Sequence, residues 1–166
     1  MLVILIGMCY SGKTTIGKGL SMRLGLPSVD FAELFKQAFR KTELEYLKDH
    51  GKKYFKEAEH HLMKKSYDNM ILSLSGSSIY YEEEMLKLFN DKNVKVIFLN
   101  PTLDVIKKRQ ADEGLDRPIL YPDGINNFDE LYKERYGLYT KYANFILNID
   151  ESQTPSDVVS EIALSI

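Results

Sequence analysis

The chain carries a single cysteine, Cys9, has no large excess of charge of either sign, and contains no apolar run long enough to cross a bilayer. One thiol cannot close an intramolecular disulfide or supply a zinc-binding cysteine cluster, so a reducing, cytoplasmic setting is expected. The apolar run Leu2–Ile6 falls far short of the roughly 18 residues a span requires, and no basic segment precedes it as in a signal peptide. It is read as a buried strand, and no membrane association is expected. Lys and Arg number 22 against 24 Asp and Glu, a net charge of −2. No global positive field therefore draws the protein to nucleic acid, and any phosphate it binds must be held by a local site. Adjacent His60 and His61 would point about 100° apart on a helix and cannot share a metal. Repeats, low-complexity tracts and Pro/Gly/Ser-rich linkers are missing too, so residues 1–166 are treated as one domain, expected to be a monomer.

What is present is a chain of 166 residues, 44% hydrophobic and 28% charged, which suffices for a globular core. Leu2–Ile6 suits a strand covered on both faces, and Ile16, Leu20 and Leu24 recur at helical spacing until Gly25 and Pro27 stop the helix. A short strand near Ser28–Val29 leads to Asp30, whose spacing to Glu33 is that of a helix-capping pair. Helices are predicted at about Phe31–Phe39, Glu43–Asp49 and Lys52–Tyr67, the last with Phe55, Ala58 and Leu62 facing inward. Further strands are predicted at Met70–Leu74, Val94–Leu99 and Phe145–Ile149, with helices at about Glu83–Phe89, Thr102–Gln110, Phe128–Tyr142 and Pro155–Ala163. About five strands separated by helices specify an α/β fold, a parallel sheet with helices on both faces. Residues 112–127, rich in Asp, Gly, Pro and Asn, interrupt the alternation and read as an active-site lid.

Between the first strand and helix stands Gly7-Met8-Cys9-Tyr10-Ser11-Gly12-Lys13-Thr14, a full match to G-x-x-x-x-G-K-[ST]. Its glycines let the backbone curl so that successive N–H groups point inward, and the following helix adds its N-terminal partial positive charge. The implied ligand is ATP with Mg²⁺. Gly7, Ser11, Gly12, Lys13, Thr14 and Thr15 would bind the phosphates, with Lys13 reaching the β/γ-phosphates and the Thr14 hydroxyl joining the Mg²⁺ shell. Cys9 and Tyr10 are read as variable loop positions.

These features resemble the shikimate kinase family of small P-loop kinases. The opening GMCYSGKTTIG over Gly7–Gly17, followed by Lys18, is similar to that family's start. Gly51-Lys52-Lys53-Tyr54-Phe55-Lys56-Glu57-Ala58-Glu59 resembles its G-E-x-x-F-R-x-x-E segment, and Arg117-Pro118-Ile119-Leu120 its R-P-L-L lid motif. Arg135, Tyr139 and Ala143 resemble its R-x-x-x-Y-x-x-x-A helix. The resemblance implies a P-loop NTPase fold of the nucleoside monophosphate kinase type and transfer of the γ-phosphoryl of ATP to a small anionic metabolite, shikimate first. Three departures bear on the acceptor and the metal. Ser28-Val29-Asp30 replaces D-x-D, Lys56 stands where the family has a substrate-binding arginine, and Ser75-Gly76-Ser77 replaces a Gly-Gly-Gly run.

Each candidate has a plain alternative. Asp30 at a strand end could orient the acceptor hydroxyl and take its proton, or simply cap a helix. Lys56 and Arg135 are cations for an acidic substrate group or ordinary helix-surface charges, and Gly76 with its flanking serines is a substrate-facing segment or a turn. Arg117 would close on the transferring phosphoryl group or remain a solvated loop residue. Arg109 would pack on adenine or stabilise a helix C-terminus. Glu82-Glu83-Glu84 reads as a solvated first turn. The other readings of function are a gluconate-type or nucleoside kinase and an ATP-binding protein without kinase activity.

Overall fold

The computed structural model describes residues 1–113 and 119–166. Five strands form one wholly parallel sheet in the order β2-β3-β1-β4-β5: β1 (Leu2–Ile6), β2 (Ser28–Asp30), β3 (Met70–Ser73), β4 (Val94–Pro101) and β5 (Phe145–Ile149). The two-residue period of a strand explains how one apolar run serves two cores. Leu2, Ile4 and Ile6 of β1 join Phe31, Phe35, Phe55, Val96 and Phe98 on one side. Val3 and Leu5 join Ile16, Leu20, Ile97, Leu147 and Ile162 on the other.

Helices α1 (Lys13–Leu24) and α7 (Pro155–Ser165) cover the second face. The first face is covered by α2 (Phe31–Phe39), α3 (Glu43–Met63), α4 (Glu82–Asn90) and α6 (Phe128–Tyr142), and α5 (Leu103–Glu113) follows β4. The predicted strands and helices are all present, with shifted ends. Gly51, at φ 84 and ψ 171, divides α3 where two helices were expected, and the second half stops at Met63 rather than Tyr67. Tyr67 instead turns its hydroxyl onto the Leu62 carbonyl at 2.9 Å, closing the helix end. The turn after β3 is a 3₁₀ segment, Gly76–Tyr80. Among the described residues no helix is long and apolar enough to cross a membrane.

One prediction of surface character fails. Glu82 and Glu83 are exposed as expected, but Glu84 is buried, because its position on α4 turns it inward onto His60 Nε2 at 2.9 Å.

Candidate active site

The loops leaving β1, β2 and β3 open at the carboxyl edge of the sheet onto a cleft of about 800 Å³. The loop after β1 and the first turn of α1 supply Ser11 to Thr15. Gly12, the N-cap of α1, sits at φ 94, a conformation glycine reaches without the Cβ penalty of other residues. Lys13 Nζ donates to the carbonyls of Gly7 and Met8 at 2.8 Å each, which places the ammonium inside the curl of the loop. Tyr10, expected to be a plain loop side chain, is instead buried and held at φ 64. Its carbonyl accepts a hydrogen bond from Arg109 Nη1 at 3.1 Å, so α5 braces the phosphate loop from outside while Arg109 lines the cleft.

Asp30 ends β2 and begins α2, and its two carboxylate oxygens do different things. Oδ1 accepts from Ala32 N at 3.0 Å as an N-cap, and Oδ2 accepts the Thr14 hydroxyl at 2.5 Å. The cap and the site position are thus compatible. Glu33 does not complete a reciprocal box, since its carboxylate takes Gln37 Nε2 at 3.1 Å. Ser28 packs against α1: a Cβ on Gly17 would stand 2.8 Å from its hydroxyl.

Arg135 is no surface charge. Helix α6 turns it inward to 3% exposure, where Nη2 donates to the Leu120 carbonyl at 3.0 Å and Nε to the Tyr80 hydroxyl at 3.4 Å. Among the described residues no carboxylate pairs with it. Burying a guanidinium without an anion is costly, so the arrangement favours an anionic ligand at its free edge. Gly76 makes room for it, because a Cβ there would stand 2.7 Å from Arg135 Nη1. The Gly76 carbonyl accepts from the Tyr139 hydroxyl at 3.0 Å. Burial, reinforced by the hydrogen bond to Glu134, pushes the Tyr80 phenol up to about 12.

Lys56 is placed differently. It is exposed on α3 and borders a neighbouring cavity of about 290 Å³ with Lys52, Tyr80 and Tyr81, a cavity that shares Ser77 and Leu120 with the lining of the main cleft. The structure therefore gathers Ser11 to Thr15, Asp30, Gly76, Arg109 and Arg135 round one cleft, with Lys56 beside it. Arg117 lies outside the described residues.

The sequence did not single out the segment after β5 as part of the site, and it marked Glu59 only as the last residue of a family-like segment. Ile149, Gln153 and Pro155, at the end of β5 and start of α7, line the cleft with Arg109; a loop leaving a parallel strand at its carboxyl end was the available signal. Glu59 is fully buried beneath Ser75 and Ser77. It stands four residues after Phe55 and three before Leu62, a carboxylate set within the apolar stripe of α3.

A phosphate loop at the head of a central strand, an acid at the end of β2 and a buried cation across the same cleft define a P-loop kinase for small molecules. The comparisons with known proteins agree. The model of the shikimate kinase family matches residues 10–166. The shikimate kinase of Flavobacterium psychrophilum is 31% identical over 166 residues, covering 96% of this chain and 95% of that protein. The crystal structure of shikimate kinase from Bacteroides thetaiotaomicron has a TM-score of 0.78 at 27% identity, covering 100% of this chain and 99% of the other. Shikimate kinase from Acinetobacter baumannii in complex with shikimate superimposes with a TM-score of 0.81 over 99% of this chain and 91% of that one; at 20% identity it speaks for the fold. The chain belongs to the shikimate kinase family.

Proposed function

We infer that this protein is a shikimate kinase, transferring the γ-phosphoryl of ATP to a hydroxyl of shikimate and leaving shikimate 3-phosphate and ADP. Family membership supports the reading, and so does one observation above others. The cleft that begins at the phosphate loop ends at Arg135, a buried guanidinium without a carboxylate partner among the described residues. A compact molecule with a hydroxyl at one end and a carboxylate at the other satisfies both ends of that cleft. The gluconate-type, nucleoside and non-catalytic readings have no comparable support.

The residues divide the work. Backbone N–H groups of the loop and Lys13 would take the phosphates, and Lys13 would exchange its two carbonyl partners for phosphate oxygens. Arg109, with Gln153 and Pro155, would hold the base. Asp30 would orient the acceptor hydroxyl and receive its proton as the phosphoryl group moves. Arg135, with the Gly76 turn, would hold the carboxylate, and Lys56 would add a point charge at the rim.

The Thr14 hydroxyl and Asp30 carboxylate, hard oxygen donors already in contact, fit Mg²⁺. When bound, Mg²⁺ would offset charge on the phosphates. Asp30 is the carboxylate beside Thr14 that Ser28 no longer provides. From its lid motif, Arg117 is proposed to meet the transferring group when residues 112–127 close. The location proposed is the cytoplasm and the state a monomer.

The test is steady-state ADP release with ATP and Mg²⁺. Shikimate should raise it well above the ATPase background; no stimulation by shikimate, with stimulation by a neutral sugar or a nucleoside, overturns the reading.

A further inference from the structure

The phosphate loop takes a positive φ at three positions. Glycine fills two of them, Gly7 at 146 and Gly12 at 94, but the third, at φ 64, is Tyr10. Tyr10 is the third residue of the turn Met8-Cys9-Tyr10-Ser11, which Ser11 N closes by donating to the Met8 carbonyl at 3.2 Å. Cys9 keeps an ordinary negative φ, so positive φ falls on the third residue alone, the mark of a type II turn. That position calls for glycine, because a Cβ there crowds the backbone. Among the described residues Arg40 and Asn69 also have positive φ, but neither is buried and neither lines the cleft. Tyr10 is 5% exposed, packs in the core cluster that holds Ile6 and Met8, and lines the cleft. For a bulky aromatic residue this backbone is an outlier, and it stands inside the loop proposed to carry the phosphates.

Three fastenings keep the turn in this shape. The Met8 carbonyl accepts from Lys13 Nζ at 2.8 Å as well as from Ser11 N, the Tyr10 carbonyl accepts from Arg109 Nη1 at 3.1 Å, and the Tyr10 ring is buried. Lys13 would leave Met8 when it turns to phosphate oxygens, so that fastening is lost at the moment the loop is needed. The relaxed alternative follows from turn geometry. With a negative φ at the third residue the same four residues make a type I turn, in which the central peptide is turned over. The Tyr10 N–H then points the other way, and the ring leaves its place in the core. Burial of a large ring outweighs the penalty of one positive-φ residue, so the strained turn is the stable one.

We propose that Tyr10 is a positioning residue for the nucleotide: its buried ring locks the phosphate loop in the positive-φ turn and so forms the phosphate cradle before ATP arrives. The inference deepens the functional reading above and rests on its assignment of the ATP phosphates to this loop.

The experiment compares wild-type protein with Tyr10→Phe, Tyr10→Gly and Tyr10→Ala, taking the Kd of ADP with Mg²⁺ by calorimetry and the KM of ATP and of shikimate. Tyr10→Phe keeps the ring and should bind ADP within about threefold of wild type. Tyr10→Ala keeps the strain and loses the ring, so the ADP Kd and the ATP KM should rise about tenfold or more. Tyr10→Gly loses both and should fall between the two. This order is the signature of the turn, because loss of packing alone would make glycine, smaller and more flexible, the worse substitution. The shikimate KM should stay within about threefold throughout, and kcat at saturating ATP should change less than the ATP KM. If Tyr10→Ala fails to fold, Tyr10→Gly against Tyr10→Phe carries the test, with a severalfold higher Kd expected for the glycine variant only. Wild-type affinity in Tyr10→Ala, weaker binding by glycine than by alanine, a phenylalanine variant as weak as alanine, or equal rises in both KM values would overturn the role of Tyr10 alone. A wild-type protein that does not bind ADP with Mg²⁺ brings down the functional reading with it.

Discussion

Lys13 and Asp30 each have two engagements in the structure, and that duality makes single substitutions informative. Lys13 Nζ already satisfies two carbonyls, so its removal costs the loop a brace as well as a phosphate ligand. Lys13→Ala should weaken ATP binding strongly and abolish most turnover; calorimetry giving wild-type affinity together with full activity would remove it from the phosphate site. Asp30 separates more cleanly. Asparagine caps a helix as well as aspartate does, so Asp30→Asn should leave thermal stability within about 1 kcal/mol of wild type. It lacks the basicity and charge of the carboxylate, and kcat should fall on the order of 10²-fold to 10⁴-fold. Near wild-type kcat in a normally folded variant would reduce Asp30 to a cap. At this scale the phosphate loop was legible because its chemistry is local: two glycines, a lysine and a threonine at fixed offsets. Arg135 was legible as a candidate only, since the burial that distinguishes it from a surface arginine comes from residues far away in the chain, Tyr80 and Leu120.

Helix ends carry the next level of control. Asn127 caps α6 by accepting from Glu130 N at 2.9 Å, and α6 delivers Arg135 to the cleft. Asn127→Ala should cost about 1 kcal/mol of stability, seen as a lower urea midpoint. Thr42 and Thr154 build reciprocal capping boxes with Glu45 and Asp157 at the starts of α3 and α7. The hydrogen bonds donated by each threonine, from backbone and hydroxyl, hold those carboxylates below their ordinary 4.5 and 3.8. A depressed folded value means that the unfolded chain binds protons first as pH falls. The stabilisation is therefore complete above about pH 4.5 and is lost as pH drops through the folded values. Urea unfolding from pH 7 to pH 3 should show this loss, and Thr42→Ala with Thr154→Ala should flatten the acid limb; an unchanged slope would show that other groups set it. Element positions were readable because apolar periodicity and caps are local signals. The break at Gly51 was readable too, as a gap between two predicted helices, whereas the early end at Met63 was not: it depends on Tyr67 folding back onto Leu62.

Across the whole molecule, α3 and α6 both reach the segment that follows the undescribed residues. Lys52 Nζ donates to the Tyr121 carbonyl at 2.8 Å and lies 3.9 Å from Asp123, while Arg135 holds the Leu120 carbonyl. The helix that presents Arg135 is thereby tied to one end of the proposed lid, which would couple acceptor binding to its closure. Hydrogen exchange over residues 112–127 should slow when ATP and shikimate are both present, and Arg117→Ala should lower kcat about 10³-fold with the fold intact. Equal exchange with and without ligands, or an active Arg117→Ala enzyme, would count against the lid and its arginine respectively.

The sequence by itself determined the alternation of strands and helices, the two-faced apolar pattern of β1 and the phosphate loop, because each rests on residues within a few positions of one another. Through a family resemblance it also pointed to the kind of reaction. Only the tertiary structure decided how the proposed acceptor end is built. It buried Arg135 beside Gly76, moved Lys56 to an adjacent cavity and placed Glu59 under the serine turn. Those contacts join α3, the turn after β3 and α6, elements distant in sequence, and a charge acquires its meaning from what surrounds it. On one strip of helix a lysine and a glutamate look alike as polar residues; packing left Lys56 in solvent and gave Glu59 the hydroxyls of Ser75, Ser77 and Tyr81 as partners.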